Sequence, residues 1–154
     1  MLQLGDAAPD FTLPADGGRT ITSAELAGKP YVIYFYPKDS TPGCTTEACD
    51  FRDNFARLTA AGAVVLGASR DGVTSHDRFK SKYTLPFPLL ADTELTLHRA
   101  YGAWGMKKMY GKEFEGTIRS TFLVGRDGKV AAAWPNVKVK GHVDAVLAAL
   151  AALG

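Results

Sequence analysis

The chain has 154 residues, a net charge of +2, 46% hydrophobic residues and 22% charged residues. That length and composition suit a single domain, residues 1–154, with one proper core, and exclude disorder, collagen and coiled coil as whole-chain readings. Eighteen basic against sixteen acidic side chains give no reason to expect nucleic acid or an anionic membrane as partner.

Phe11 to Leu13 and Arg19 to Thr22 flank Asp16-Gly17-Gly18 and read as a small N-terminal hairpin. Tyr31 to Tyr36 is a β-branched and aromatic run, expected as a strand buried on both faces. A helix follows from Pro42, and Ala63 to Ala68 reads as a second buried strand. Thr74-x-x-Asp77 has a capping-box pattern opening a short helix with Phe79 and Tyr83 on one face. Phe87 to Ala91 is expected as a strand, and Asp92 as the N-cap of a helix carrying Leu97, Ala100 and Tyr101. Residues 102–118, rich in Gly and Lys, read as a long loop. Ser120 to Val124 and Lys129 to Trp134 flank an Arg126-Asp127-Gly128 turn and predict a hairpin. The alternation Val137-Lys-Val-Lys140 suits a strand with one wet face. The last helix places Val143, Val146, Leu147, Leu150 and Leu153 on one stripe. Strands alternating with helices, closed by an antiparallel hairpin, predict an α/β fold with a mixed central sheet flanked by helices.

The longest apolar run, Ala145 to Leu153, is far short of the roughly 20 residues that span a bilayer. The N-terminus lacks the charged and apolar regions of a signal peptide, so a cytoplasmic, reducing compartment is expected. The chain has two cysteines, which there point to catalysis, redox chemistry or metal rather than a structural staple.

Both cysteines lie in Pro37-Lys-Asp-Ser-Thr41-Pro42-Gly43-Cys44-Thr-Thr-Glu47-Ala-Cys49, where a buried strand gives way to a helix. Thr41 suits the N-cap and Pro42 the first helical position, so Cys44 falls in the first turn. Unpaired N–H groups and the helix dipole there favour an anion. Gly43 leaves room for a close approach to the sulfur. Against this, Cys44, Ala48, Phe51, Phe55 and Leu58 share one apolar helix face, and a cysteine on such a stripe behaves as a small hydrophobe. Both readings stand on these residues alone.

Cys49 lies five residues further on, a helical rotation of about 140° with Cα atoms roughly 8–9 Å apart. A disulfide needs about 7 Å or less, so the two cysteines bond only if the first helical turns unwind. Zinc is disfavoured, with no His or further Cys near the pair. His76, His98 and His142 stand singly and read as surface or locally capped residues without a role. Arg119, just before the Ser120 strand, is either an ordinary strand-end charge or a cation for a thiolate and an oxygen substrate. Trp104 and Trp134 read as packing residues, and Phe87, Trp104 and Met106 either line an apolar approach or belong to the core.

The sequence resembles the peroxiredoxins, in particular their Q-type subfamily, also called bacterioferritin comigratory proteins. The resemblance rests on Ala8-Pro9-Asp10-Phe11-Thr-Leu13, on Tyr34-Phe-Tyr-Pro37 followed by Thr41-Pro-Gly-Cys44, and on Glu47-Ala-Cys49-Asp-Phe-Arg52. Tyr110-Gly-Lys, Gly116-Thr-Ile-Arg119-Ser-Thr-Phe-Leu and Val137-Lys-Val-Lys-Gly-His142 extend it over nearly the whole chain. It implies a thioredoxin-like fold and a cofactor-free thiol peroxidase acting on hydrogen peroxide and organic hydroperoxides. Cys44 would be the peroxidatic cysteine and Cys49 the resolving one, joined in an intramolecular disulfide. Thr41, Arg119 and Pro37 would complete the site, with Glu47 behind them. Thioredoxin or a similar dithiol would recycle the enzyme, and a resolving cysteine in the same chain suits a monomer. The alternative is a thioredoxin-like disulfide reductase, although such proteins typically carry Cys-x-x-Cys. A metallochaperone is the third reading, and the lack of clustered His or Met argues against it.

Overall fold

The computed structural model describes residues 1–153. The N-terminal hairpin pairs β1 (Thr12–Pro14) with β2 (Thr20–Thr22), antiparallel, across a 3-10 turn at Asp16–Gly18. Its anchor is Asp16, whose buried carboxylate accepts from the Leu89 N–H and from Lys80 Nζ, each at 2.7 Å. These donors hold the Asp16 carboxyl below its ordinary pKa, although burial opposes them.

β3 (Tyr31–Phe35) is buried at every residue and forms the centre of a five-stranded sheet. It is followed by α1 (Pro42–Asp53), α2 (Phe55–Ala60), β4 (Val64–Ser69), α3 (Val73–Tyr83), β5 (Leu89–Ala91) and α4 (Thr96–Tyr101). Then come β6 (Trp104–Met109), β7 (Lys112–Thr117), β8 (Ser120–Val124), β9 (Val130–Trp134) and α5 (His142–Ala152). The sheet order is β5-β4-β3-β8-β9. β3, β4 and β5 run parallel, while β8 and β9 are antiparallel to their neighbours, so the sheet is mixed as expected.

Alternation along β3 divides the core into two layers. Val32 and Tyr34 face a cluster holding Cys44, Ala48 and Phe51 of α1, Leu58 of α2, Phe79 of α3, and Val143, Val146 and Leu150 of α5. Tyr31, Ile33 and Phe35 face the opposite cluster with Phe11, Leu26, Leu66, Leu97, Tyr101 and Phe122. Each large apolar side chain so buried contributes about 1.5–3 kcal/mol. The Tyr34 ring stacks on Phe51 with centroids 4.6 Å apart. Gly67 leaves space for this ring: a Cβ there would sit 3.1 Å from the Tyr34 hydroxyl and 2.9 Å from Leu89 Cδ2.

Several local expectations are corrected. Residues 102–118 are not a long loop but the ribbon of β6 and β7, with Met109 opposite Lys112. The two-residue turn between them, Tyr110-Gly111, has positive φ at both positions (53° and 77°). That is the hairpin geometry normally announced by Asn-Gly, and tyrosine in the first position hides it. Residues 137–140 form no strand. Gly72, not Thr74, occupies the N-cap of α3, and no side chain caps it. Asp77 instead accepts the Gly17 N–H at 2.7 Å, a tertiary bond that ties the hairpin to α3. Asp92 is not the N-cap residue of α4, which is Leu95, yet its carboxylate does the capping by accepting the N–H groups of Leu97 and His98. Ala100 and Leu153 are exposed rather than on the buried stripes. All three histidines are buried, each hydrogen-bonded to a side chain on another segment, so none is a surface residue.

Candidate active site

α1 begins where the sequence places it. Thr41 holds the extended N-cap backbone and Pro42 the first helical position. The Thr41 side chain does not cap the helix, since its hydroxyl donates to the Lys38 carbonyl at 2.8 Å. The first helical bond runs from Thr45 N–H to the Thr41 carbonyl at 2.9 Å, which leaves the Gly43 and Cys44 N–H groups ahead of the helical ladder. Cys44 is therefore both things the sequence allowed. It packs in the apolar cluster at 1% exposure, and it sits at the positive end of the helix dipole.

Arg119 gives Cys44 a charged partner. β8 pairs with β3 so that Ser120 lies opposite Phe35, and this register sets Arg119 beside the loop that ends β3. Its guanidinium forks: Nη2 donates to Cys44 Sγ at 3.3 Å and Nη1 donates to Glu47 Oε1 at 2.6 Å. Gly43 makes this approach tolerable, because a Cβ there would sit 3.2 Å from Arg119 Nη2. Its hydrogen bonds and charge interactions with Glu47 and Cys44 hold Arg119 above its ordinary pKa, although burial opposes them. A hydrophobic cysteine needs no such partner, and a charged thiolate does.

Glu47, one helical turn beyond Cys44, is 1% exposed. Its Oε2 and the Tyr34 hydroxyl are buried without a hydrogen-bond partner among the described residues. Burial outweighs the attraction of Arg119 and pushes the Glu47 carboxyl up to about 7. The folded protein then binds this proton more tightly than the unfolded chain does, so stability falls as pH rises from about 4.5 to 7. For this group alone the fall is about 3 kcal/mol, at about 1.36 kcal/mol per pKa unit. Glu47→Gln should unfold with a correspondingly flatter dependence over that range, measured by urea titration of reduced protein at each pH. Parallel curves for the two proteins would refute this account of Glu47.

Beside Arg119 lies a shallow groove of about 370 Å³, lined by Met106, Lys107, Ile118, Arg119, Asn136 and Val137 among others. Lys107 is held below its ordinary pKa, by burial first and then by the Arg119 charge. Met106 thus lines this groove with Arg119, whereas Phe87 is wholly buried core and Trp104 packs edge-on to His98. A larger hollow, about 750 Å³, is lined by residues 8–12, 23–31 and 125–128 among others and contains none of the site residues. His142 stands close enough to Arg119 to feel its charge. Burial and that charge push its pKa down to about 4, and it shares a 2.7 Å hydrogen bond with Thr121 Oγ1.

Pro37 and Thr41 lie on the loop between β3 and α1, so the structure gathers Pro37, Thr41, Cys44, Glu47 and Arg119 at one end of the central strand. Cys49 is on the same helix, half-buried, and both thiols are free. Sequence reasoning missed Asp39, in the middle of this loop. Its buried carboxylate accepts the Tyr36 hydroxyl at 2.6 Å, the Ser75 hydroxyl at 2.8 Å and a proton shared with His76 Nδ1 at 2.7 Å. Its partners on α3 are remote in the chain, so spacing carries no signal of them.

Known proteins resemble the chain along nearly its whole length. The AhpC/TSA family pattern matches residues 4–133. A putative peroxiredoxin of Coxiella burnetii, called bcp, is 49% identical over 149 residues, covering 97% of this chain and 99% of that one. Peroxiredoxin Q of Xanthomonas campestris superposes with a TM-score of 0.90 at 51% identity, covering 99% of this chain and 96% of that one. A trapped intermediate/ligand complex structure of the Xanthomonas bacterioferritin comigratory protein, described for its alkyl peroxide reduction activity, superposes equally well at 50% identity, covering 99% and 97%. Matched along nearly its whole length by such relatives, the chain belongs to the AhpC/TSA family and, within it, to the peroxiredoxins of the Bcp or Q type.

Proposed function

We propose that this chain is a thiol peroxidase, an antioxidant enzyme that reduces hydrogen peroxide and organic hydroperoxides through Cys44. The observation that carries the reading is the Arg119 fork, which holds Cys44 Sγ and Glu47 together at the start of α1. The alkyl peroxide activity described for the Xanthomonas relative supports the same substrate class.

In the proposed cycle the Cys44 thiolate attacks the terminal peroxide oxygen in line with the O–O bond. A sulfur–oxygen bond forms, the O–O bond breaks, and its electron pair leaves on the second oxygen, which takes up a proton as alcohol or water. In this reading the free Cys44 N–H and Arg119 donate to the two oxygens and stabilise the charge that moves to the leaving one, and the Thr41 hydroxyl, which donates to the Lys38 carbonyl, accepts the peroxide proton. Pro37 shields the sulfur. Orientation carries much of the rate, because thiolate nucleophilicity falls along with thiol pKa. The product is the Cys44 sulfenic acid. Cys49 attacks its sulfur, expels water and closes an intramolecular disulfide, which a dithiol such as thioredoxin reduces by exchange.

The same reading makes the chain a single domain working as a monomer in the cytoplasm, with the resolving thiol supplied in cis. No helix among the described residues is long and apolar enough to cross a membrane. The decisive experiment treats reduced protein with one equivalent of hydrogen peroxide and follows thiol count and intact mass. Loss of both thiols, with a mass lower by two hydrogens and no covalent dimer, is the expected result. Survival of both thiols would overturn the assignment of Cys44.

A further inference from the structure

His76 is one of the buried titratable groups that the mechanism leaves unused. His76 on α3 is wholly buried, with Nδ1 2.7 Å from Asp39 Oδ2 and Nε2 2.9 Å from the Leu90 carbonyl oxygen. A carbonyl only accepts, so Nε2 must carry a proton. The Asp39 carboxylate already accepts from Tyr36 and Ser75, and a shared proton belongs on the more basic imidazole nitrogen. Both ring nitrogens are then donors, a state only the imidazolium has.

We infer that His76, held as a buried imidazolium, is a positioning residue for the Cys44 site, clamping the Pro37–Thr41 loop through Asp39. The inference rests on the peroxidase reading above. A clamp suits this loop because Ser40 adopts a left-handed backbone, φ 63°, which is uncommon and costly for a non-glycine residue. Asp39 supplies the fixed point beside it, and its N–H donates to Asp71 Oδ2 at 2.9 Å. Thr41 and Pro37, which present the peroxide-binding hydroxyl and the shield, lie two residues either side of Asp39.

The groups facing the ring are Asp39 and Tyr36 from the loop after β3, Asp71 from the loop after β4, the Leu90 carbonyl of β5, and Ser75 on its own helix. The carboxylates and hydrogen bonds hold His76 above its ordinary pKa, although burial opposes them. The clamp is therefore fully closed below the ordinary histidine pKa and is lost as pH rises through the raised value.

The test uses wild-type reduced protein. Ring 15N shifts should report two protonated nitrogens at pH 6. The single-turnover rate of Cys44 oxidation should fall on the order of 10- to 100-fold, the scale of an ångström's misplacement, as the ring titrates at higher pH. His76→Gln should be slow at neutral pH and should lack that pH-dependent fall. A neutral ring at pH 6, a titration that leaves the rate unchanged, or a His76→Gln profile matching wild type would each overturn the clamp. Should His76→Gln fail to fold, the wild-type titration alone decides the matter. Failure of the peroxidase reading would look different, since wild-type Cys44 would then not be oxidised at any pH.

Discussion

Cys44→Ser is expected to leave no peroxidase turnover, measured as peroxide consumption driven by a dithiol reductant. The substitution keeps the shape of the site. Position 44 lies in the first turn of α1, and a serine hydroxyl there still accepts from Arg119 Nη2, which now lies 3.3 Å from the sulfur. What is lost is the nucleophile. A hydroxyl is weak until a base removes its proton, and the two ionisable groups next to position 44 are a forked arginine and a carboxyl that the arginine already holds. The fold should survive, because the other members of the helix stripe, Ala48, Phe51 and Leu58, remain fully buried. Thermal unfolding within a few degrees of wild type, together with abolished turnover, is the expected pair of results. Turnover above the uncatalysed background in a folded Cys44→Ser protein would remove Cys44 from the chemistry.

The half of the site that is local in sequence was legible, and the half that depends on long-range pairing was not. Strand, loop, Pro42, Gly43 and Cys44 are contiguous, so the strand end, the helix start and the cysteine's place in the first turn all follow from neighbouring residues. Arg119 lies 75 positions beyond Cys44. Its place is set by the register of β8 on β3, which no local pattern reveals, so the residues alone left both readings of Arg119 open and only the family resemblance chose between them. Glu47 reads as an ordinary polar helix residue until α1 is docked, when its carboxyl turns out buried against Arg119. The histidines failed for a related reason. A lone histidine is read from its neighbours, yet His76 is satisfied by Asp39 and Leu90, and His142 by Thr121. The β6–β7 ribbon was lost because its strands are mostly solvated, with Met106, Met109, Tyr110 and Phe114 exposed, so they lack the buried alternation that marks a strand.

Cys49→Ser should separate the two halves of the cycle. Its first encounter with peroxide should proceed at the wild-type rate, since Cys49 has no part in the Arg119 fork. Thioredoxin-dependent cycling should then be lost, because the chain holds no third cysteine to take over. The step that fails is tied to α1. That helix is continuous from Pro42 to Asp53 with both thiols free, and its geometry keeps the two Cα atoms roughly 8–9 Å apart, beyond disulfide reach. Resolution therefore requires the first turns to unwind and Arg119 to release both Cys44 and Glu47. Oxidation itself promotes this, since a sulfenic acid no longer offers the guanidinium the full negative charge of a thiolate. The far end of α1 is anchored by Phe51 stacked on Tyr34, and the helix stops at Asn54 before α2 begins, so unwinding need not spread beyond the segment carrying both cysteines. In Cys49→Ser the sulfenic acid waits with nothing to resolve it, and a second equivalent of peroxide should carry it to the sulfinic acid. Intact mass should show one added oxygen and then two on that variant, where wild type shows the disulfide. Recycling of Cys49→Ser by thioredoxin at the wild-type rate would show that Cys49 does not resolve the sulfenic acid.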